Sequence, residues 1–263
     1  MSLIRTAGKL IFATADRFLP NPTGPRILIY HQVDAGLGRQ MEVTLADFER
    51  QMGWLAANRR VVDLDTALAE WTHPEANQLV VLTFDDGYHD IYSHAYPILT
   101  EHGLPFLVYL ATESIETGSS LGPATGAEPL SWDHVGEMMR GGLVSVGAHT
   151  HSHRDLRHAT RGEAEDEIST SNQLIRDRLG VVPDHFAYPW GYWSESADQV
   201  VRDRYRSAVL AGTPRPVAHP DPYLIHRYPV QLSDSFKFFR SRLEGGLRLE
   251  ESLRRRISGY TGP

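Results

Sequence analysis

Residues 78–90 read QLVVLTFDDGYHD, and the rest of the chain is read outward from them. Leu79 to Phe84 are apolar or β-branched without interruption, and the run stops at Asp85, Asp86 and Gly87. An unbroken apolar run of this length fits a strand buried on both faces, as in parallel sheets, and Asp-Gly fits a tight turn at its end. Two adjacent carboxylates at a buried strand end repel each other and lose hydration, so the pair calls for a cation or a proton beside it. An ordinary solvated turn has the same local sequence, so the choice rests on what the other strand ends carry.

Strand-like and helix-like segments alternate on either side. Residues 26–31 (RILIYH), 60–64, 104–110 (LPFLVYL), 143–148 (LVSVGA), 185–188 and stretches near 207–211 and 224–230 read as strands. Thr44, Ser131 and Thr160 stand where helix caps are needed, the last opening a helix that Gly180 stops. Residues 65–71, 194–205 and 233 onward also read as helical, and Pro97 predicts a kink in the helix that ends near Gly103. Residues 111–130, rich in Gly, Ser and Pro, read as irregular. Such an alternation predicts an α/β fold with a parallel sheet wound into a (β/α) barrel, the alternative being an open doubly wound sheet. The expected organisation is an amphipathic helix and linker over residues 1–22, one barrel domain over 23–250 and a charged tail over 251–263.

Composition narrows the function classes. With 263 residues, 41% of them hydrophobic, the chain is long enough for a substantial core, and a formal charge of −7 gives no electrostatic reason to expect nucleic acid as a partner. The absence of cysteine excludes disulfides, thiolate metal sites and a cysteine nucleophile. No apolar run reaches the length of a membrane span, and Asp16 and Arg17 interrupt the stretch in which a signal-peptide core would lie. A cytoplasmic location is therefore expected, with residues 1–20 available for peripheral contact with a membrane surface.

In a (β/α) barrel the chemistry collects at the C-terminal ends of the strands. The unusual polar residues fall at such ends: His31, the Asp85-Asp86 pair, His149, then Tyr188, Pro189 and Trp190, with His226 within the last strand. His149 and His153 are four apart, a spacing that puts both rings on one side of a helical turn. With thirteen histidines in the chain, about 0.6 pairs are expected at any one spacing by chance, so the pair gains meaning only beside the two aspartates. Two histidines and one carboxylate suit a divalent ion with open coordination positions; zinc is the leading candidate, with cobalt, nickel or iron as alternatives.

TFDDG at 83–87, HTHSH at 149–153 and YPWG at 188–191, in this order, resemble the motifs of the polysaccharide deacetylase family, carbohydrate esterase family 4 with its NodB homology domain. ILIYH at 27–31, F-x-x-Q-M-x-x-L at 48–55 and L-S-W-x-x-V at 130–135 extend the resemblance over roughly residues 26–240. It implies a deformed (β/α) barrel and a metal-dependent hydrolase that removes N-acetyl, or less often O-acetyl, groups from an amino-sugar glycan or saccharide precursor. Asp86, His149 and His153 would be the metal ligands and Asp85 the catalytic base. The backbone N–H of Trp190, in the Tyr188-Pro189-Trp190 turn, would face the oxyanion, and His226, in Leu224-Ile225-His226, would be the acid. Three features depart from the family pattern. Ala187 stands where an arginine usually holds the base, leaving Arg227 as a candidate for that task. No aspartate-tryptophan motif is recognisable between Ser207 and Tyr223. The segment PYLIHRYPV also aligns so that Arg227, not His226, matches a family position. His31 is a further candidate for lining the site. A deformylase or small-amide hydrolase acting on a lipid-linked or small sugar, and a non-catalytic metal-containing carbohydrate-binding barrel, are the alternative readings.

Overall fold

Side chains alternate between two faces along each strand, and two separate apolar clusters record which face is which. Ile27, Leu79, Val81, Leu107, Tyr109, Ala187, Val209 and Ile225 form the inner cluster, while Leu28, Tyr30, Val80, Leu82, Phe84, Phe106, Val108, Phe186, Leu210 and Tyr228 pack outward beneath the helices. The computed structural model describes residues 24–121, 126–212 and 221–244. Among these, seven parallel strands enclose the inner cluster: β1 (Arg26–Tyr30), β2 (Leu79–Phe84), β3 (Phe106–Leu110), β4 (Val144–Ala148), β5 (His185–Ala187), β6 (Ser207–Ala211) and β7 (Ile225–Pro229). They lie in the order β1-β7-β6-β5-β4-β3-β2, and β2 pairs back onto β1, so the sheet closes into a barrel. Its pairing is uneven. Five residues of β3 are in register with β4, whereas β4 meets β5 at Ala148 and Phe186 alone, and residues 60–61 add a short strand against the start of β2.

The register carries the fold toward function. Tyr30 is level with Phe84, so the residues that follow, His31 and Asp85, emerge side by side at one rim. Asp85 N–H donates to Tyr30 O at 3.0 Å and extends the ladder to that rim.

The helices follow local signals. Helix α1 (Leu45–Asn58) is capped by Thr44 and followed by α2 (Leu64–Ala69), capped by Asp63. Before α3 (Tyr96–Glu101) the chain makes a π-helical turn over Ile91–Ala95, where the kink at Pro97 was expected; proline lacks the N–H for an ordinary turn, and Tyr96 N–H instead reaches back to Ile91 O. Helix α5 (Trp132–Arg140) starts with a capping box of Ser131 and His134, and α6 (Arg161–Leu179) with one of Thr160 and Glu163; Gly180, at φ +72°, ends α6. Helices α7 (Glu195–Arg204) and α8 (Phe236–Leu243) complete the set.

One expectation is corrected here. The segment read as irregular contains helix α4 (Thr112–Thr117), preceded by Ala111, which has no capping side chain. Its first N–H groups are satisfied from another loop, Thr112 N–H by Thr150 O at 3.3 Å and Glu113 N–H by His151 O at 2.8 Å. A helix capped by tertiary contacts leaves no capping signal in its own sequence. The helix expected over residues 1–20 and the tail over 251–263 lie outside the described residues. No helix among the described residues is long and apolar enough to cross a membrane.

Gly147 on β4 shows how closely the interior is filled. A Cβ there would lie 2.5 Å from the Tyr109 ring and 2.9 Å from His185 O. Gly147→Ala is expected to destabilise the protein by about 1–3 kcal/mol, through overpacking, measured by urea denaturation; a variant as stable as the parent would show that Tyr109 has room to move.

Candidate active site

The site begins with a buried ion pair. Arg227 projects inward from β7 and donates from both terminal nitrogens to Asp85, Nη1 to Oδ1 and Nη2 to Oδ2, each at 2.6 Å. Both side chains are almost wholly removed from solvent. Two further donors of the guanidinium are also engaged: Nη1 reaches Thr83 Oγ1 at 3.0 Å and Nε reaches Leu210 O at 3.2 Å. Beneath it lies the Tyr109 ring, its centroid 5.3 Å from the guanidinium carbon, in the space that Gly147 leaves open. Burial by itself raises the Asp85 carboxyl, and the Arg227 charge and the nearby His149 outweigh it, holding Asp85 below the usual range and ionised.

Asp86 turns the other way. With φ +74° it occupies the left-handed region, followed by Gly87 at φ +81°, and this reversal points two consecutive carboxylates at different partners. His149 Nε2 lies 3.4 Å from Asp86 Oδ1 and His153 Nε2 lies 3.3 Å from the same atom. His149 Nδ1 is 2.7 Å from Ala187 O. A carbonyl only accepts, so the Nδ1 carries the proton and the Nε2 of the neutral ring presents a lone pair to the carboxylate. Asp86 Oδ1 is buried and has no hydrogen-bond donor. A buried carboxylate oxygen without a donor, faced by two imidazole nitrogens, fits a cation, and the ligand atoms of Asp86, His149 and His153 all lie within 4.8 Å of one another. Arg227 neutralises Asp85, which leaves the charge of Asp86 uncompensated for that cation.

Burial and the two histidines pull Asp86 in opposite directions, and the histidines prevail, leaving its carboxyl far below the usual range. The same carboxylates lift His149 against the effect of its burial, whereas burial dominates at His153 and lowers it to about 4. Burial and the charge of Asp86 raise the hydroxyl of Tyr88, next but one along the chain, well above its usual range, an influence whose only signal in the sequence is its place in DDGYH.

The histidine pair departs from the expected geometry. No helical turn joins His149 to His153; Thr150 and His153 both take positive φ, +62° and +56°, and these reversals bring the rings to 4.9 Å between centroids. His151, between them, points to α4, with Nδ1 3.1 Å from Thr112 Oγ1. Glu167 of α6 ties the loop down by accepting from the N–H groups of His151 and Ser152, at 3.0 and 2.8 Å.

Other residues read as candidates are more dispersed. Trp190, also at positive φ (+62°), is 61% exposed, and its ring lies 5.3 Å from that of His153. Its N–H opens a 3-10 turn, where helical geometry provides no partner for it. Pro189 is buried in that turn, and Tyr188 packs against Phe186 in the outer core, away from the carboxylates. Three more aromatic residues near the strand ends are engaged elsewhere: Trp132 donates to Glu116, Trp193 donates to Asp198, and Tyr192 lies beneath Arg157.

His226 and Arg227 are consecutive on β7 and therefore face opposite sides of the barrel wall. With Arg227 turned into the barrel, His226 turns out, its Nδ1 3.4 Å from Ala211 O, and it does not join the carboxylates as expected. His31 does. It follows β1 directly, and the charges acting on it are those of Asp86, Asp85, Arg227 and His149; burial outweighs the two carboxylates and lowers its pKa.

Comparison with known proteins bears on the family and the fold. The family model described as Polysaccharide deacetylase matches residues 72–206. The chain belongs to the polysaccharide deacetylase family. Among curated relatives, YxkH of Bacillus subtilis (strain 168) is 26% identical over 223 residues, covering 83% of this chain and 75% of that protein. The poly-beta-1,6-N-acetyl-D-glucosamine N-deacetylase of Escherichia coli (strain K12) is 25% identical over 201 residues, covering 62% of this chain and 30% of that enzyme. In fold the chain resembles the deacetylase PplD of Streptococcus pyogenes, with a TM-score of 0.73 at 22% identity over 85% of this chain and 99% of that one. It also resembles IcaB of Ammonifex degensii, with a TM-score of 0.68 at 24% identity over 84% and 96%. The seven-stranded barrel is thus the deformed barrel of this family.

Arg227→Met is expected to cost about 3–5 kcal/mol at neutral pH, because it leaves a carboxylate buried without its partner. In the parent, the folded-state pKa of Asp85 is depressed, so its contribution is full above the unfolded value of about 4 and is lost as pH falls through the folded value. In the variant burial raises that pKa instead, and protonation relieves the cost. Urea denaturation at pH 7 and pH 3 should find the gap between the two proteins narrowing on acidification; an equal gap would show that Arg227 acts through packing alone.

Proposed function

We propose that the protein is a divalent-metal-dependent hydrolase that removes N-acetyl groups from an amino-sugar glycan or saccharide precursor. The observation that carries this reading is the buried Asp86 Oδ1, without a donor and flanked by two histidine nitrogens, next to a carboxylate that Arg227 keeps ionised. Membership of the family supports the reaction class. The substrate named for the Escherichia coli relative, a polymer of N-acetyl-D-glucosamine, supports the amino sugar.

Asp86, His149 and His153 would hold the ion through one carboxylate oxygen and the two Nε2 atoms. When bound, a divalent ion, zinc being the leading candidate, acidifies water and polarises an amide carbonyl. Asp85 takes the proton of the attacking water on its carboxylate, and Arg227 keeps that carboxylate ionised and oriented beforehand. The N–H of Trp190 donates to the oxygen that gains charge as the carbonyl is attacked. His31 delivers a proton to the departing amine nitrogen. It stands level with Asp85 at the rim, and a ring whose pKa burial lowers is a stronger acid when protonated. Ala187, in the position of the family's motif arginine, contributes its carbonyl to His149 and leaves the orienting of the base to Arg227.

Acetate release from N-acetylglucosamine oligomers by purified protein, after chelation and then restoration with zinc, cobalt or nickel, tests the reading. Acetate that disappears on chelation and returns with metal is the expected result; turnover unaffected by chelation would overturn it.

Single substitutions should separate the roles. Asp85→Asn should keep the bound metal and lose turnover by about 10²–10⁴-fold, and His149→Ala or His153→Ala should lose both. Metal content by elemental analysis alongside the rate decides this, and equal metal loss in all three would reverse the roles of the two aspartates.

A further inference from the structure

Val33 is gripped on both sides of its backbone. Its N–H donates to Asp90 Oδ1 at 3.1 Å, and its C=O accepts from His94 Nδ1 at 2.8 Å. Gln32–Val33 is a two-residue strand paired with Glu42–Val43; on that other edge Gln32 N–H and Asp34 N–H bond to Met41 O and Val43 O, so side chains complete what a second neighbouring strand would otherwise supply. Asp90 precedes the π-helical turn Ile91–Ala95 and His94 lies within it, four residues on, a spacing that places both on one face of the turn.

The grip comes at a cost that edge pairing alone does not require. Asp90 is buried, and burial pushes its carboxyl up to about 7 against the pull of the Val33 N–H and His94; Glu42 faces it as a second carboxylate. Glu42 is itself occupied with the following loop, accepting from Gly36 N–H at 2.6 Å and Gly38 N–H at 2.8 Å.

The placement of the grip gives it a use. His31 sits between two anchors, Tyr30 O held by the Asp85 N–H and Val33 held by Asp90 and His94. All these holding groups come from residues 85–94, the segment that also supplies the candidate base and the candidate aspartate ligand. We propose that Asp90 and His94 are positioning residues that fix His31 beside the carboxylate pair by gripping the peptide groups of Val33. This rests on the reading of His31 as proton donor.

Four readouts on the zinc-loaded protein test it: kcat and KM for acetate release from N-acetylglucosamine oligomers, zinc content, and the His31 ring resonances in ¹⁵N NMR. Asp90→Ala and His94→Ala should each lower kcat about tenfold, since small misplacements of a reacting group are costly, with KM and zinc content as in the parent and the His31 resonances displaced. Asp90→Asn, which keeps an oxygen for the Val33 N–H, should restore kcat to within about twofold. In a His31→Ala background the loss from either substitution should vanish, because the residue through which it acts is gone. A loss of the same size in that background, or His31 resonances unmoved in both alanine variants, would overturn the proposal. Parent-like turnover of His31→Ala would overturn the reading of His31 itself. Should Asp90→Ala fail to fold, His94→Ala, at a half-buried position, carries the same comparison.

Discussion

Arg227 and Asp85 form an ion pair that is almost wholly removed from solvent. Removing two charges from solvent costs several kcal/mol per ion, and a replacement by apolar side chains is often at least as stable. Fold stability alone is thus a weak reason for the pair. What it supplies is a carboxylate that stays ionised inside a barrel and points in one direction, because both of its oxygens are engaged at 2.6 Å by a planar fork. The surroundings are arranged around that fork: Thr83 and Leu210 take two more of its hydrogens, Tyr109 lies beneath it, and Gly147 is small so that Tyr109 can.

The second constraint is backbone strain at the rim. Asp86, Thr150, His153 and Trp190 all take positive φ without being glycine, on the loops after β2, β4 and β5. Each such residue costs about 1–2 kcal/mol, and strain of this kind persists where the surrounding structure over-determines it. Here the returns are specific. The reversal at Asp86 separates two adjacent carboxylates into one paired with arginine and one facing histidines. The reversals at Thr150 and His153 fold the intervening loop so that two rings converge on a single oxygen, and Glu167 stabilises that loop from α6.

Electrostatics and strain meet in residues 85–94. Within ten residues the chain passes from the ion-paired carboxylate to the histidine-facing one, then to Asp90 and His94 on Val33. A π-helical turn in such a segment spaces side chains differently from an α-helix without breaking the chain direction into α3.

By itself the sequence determined the parallel α/β architecture, because an uninterrupted apolar strand such as Leu79–Phe84 and caps such as Thr160 with Gly180 are local signals. It also brought out Asp85, Asp86, His149 and His153, since polar residues at the ends of buried strands stand out against the pattern. Tertiary structure decided what these residues touch. The partner of Asp85 lies 142 positions away, and only the closure of β7 onto β1 and of β1 onto β2 brings it there. PYLIHRYPV allowed either His226 or Arg227 to face inward, and the choice depends on the phase of alternation in β7, which its partners in the barrel fix. Ala187 carried no polar side chain to read, yet its carbonyl sets the tautomer of His149. Backbone groups do not vary with residue type, so their roles become visible only when the strands that carry them are assembled.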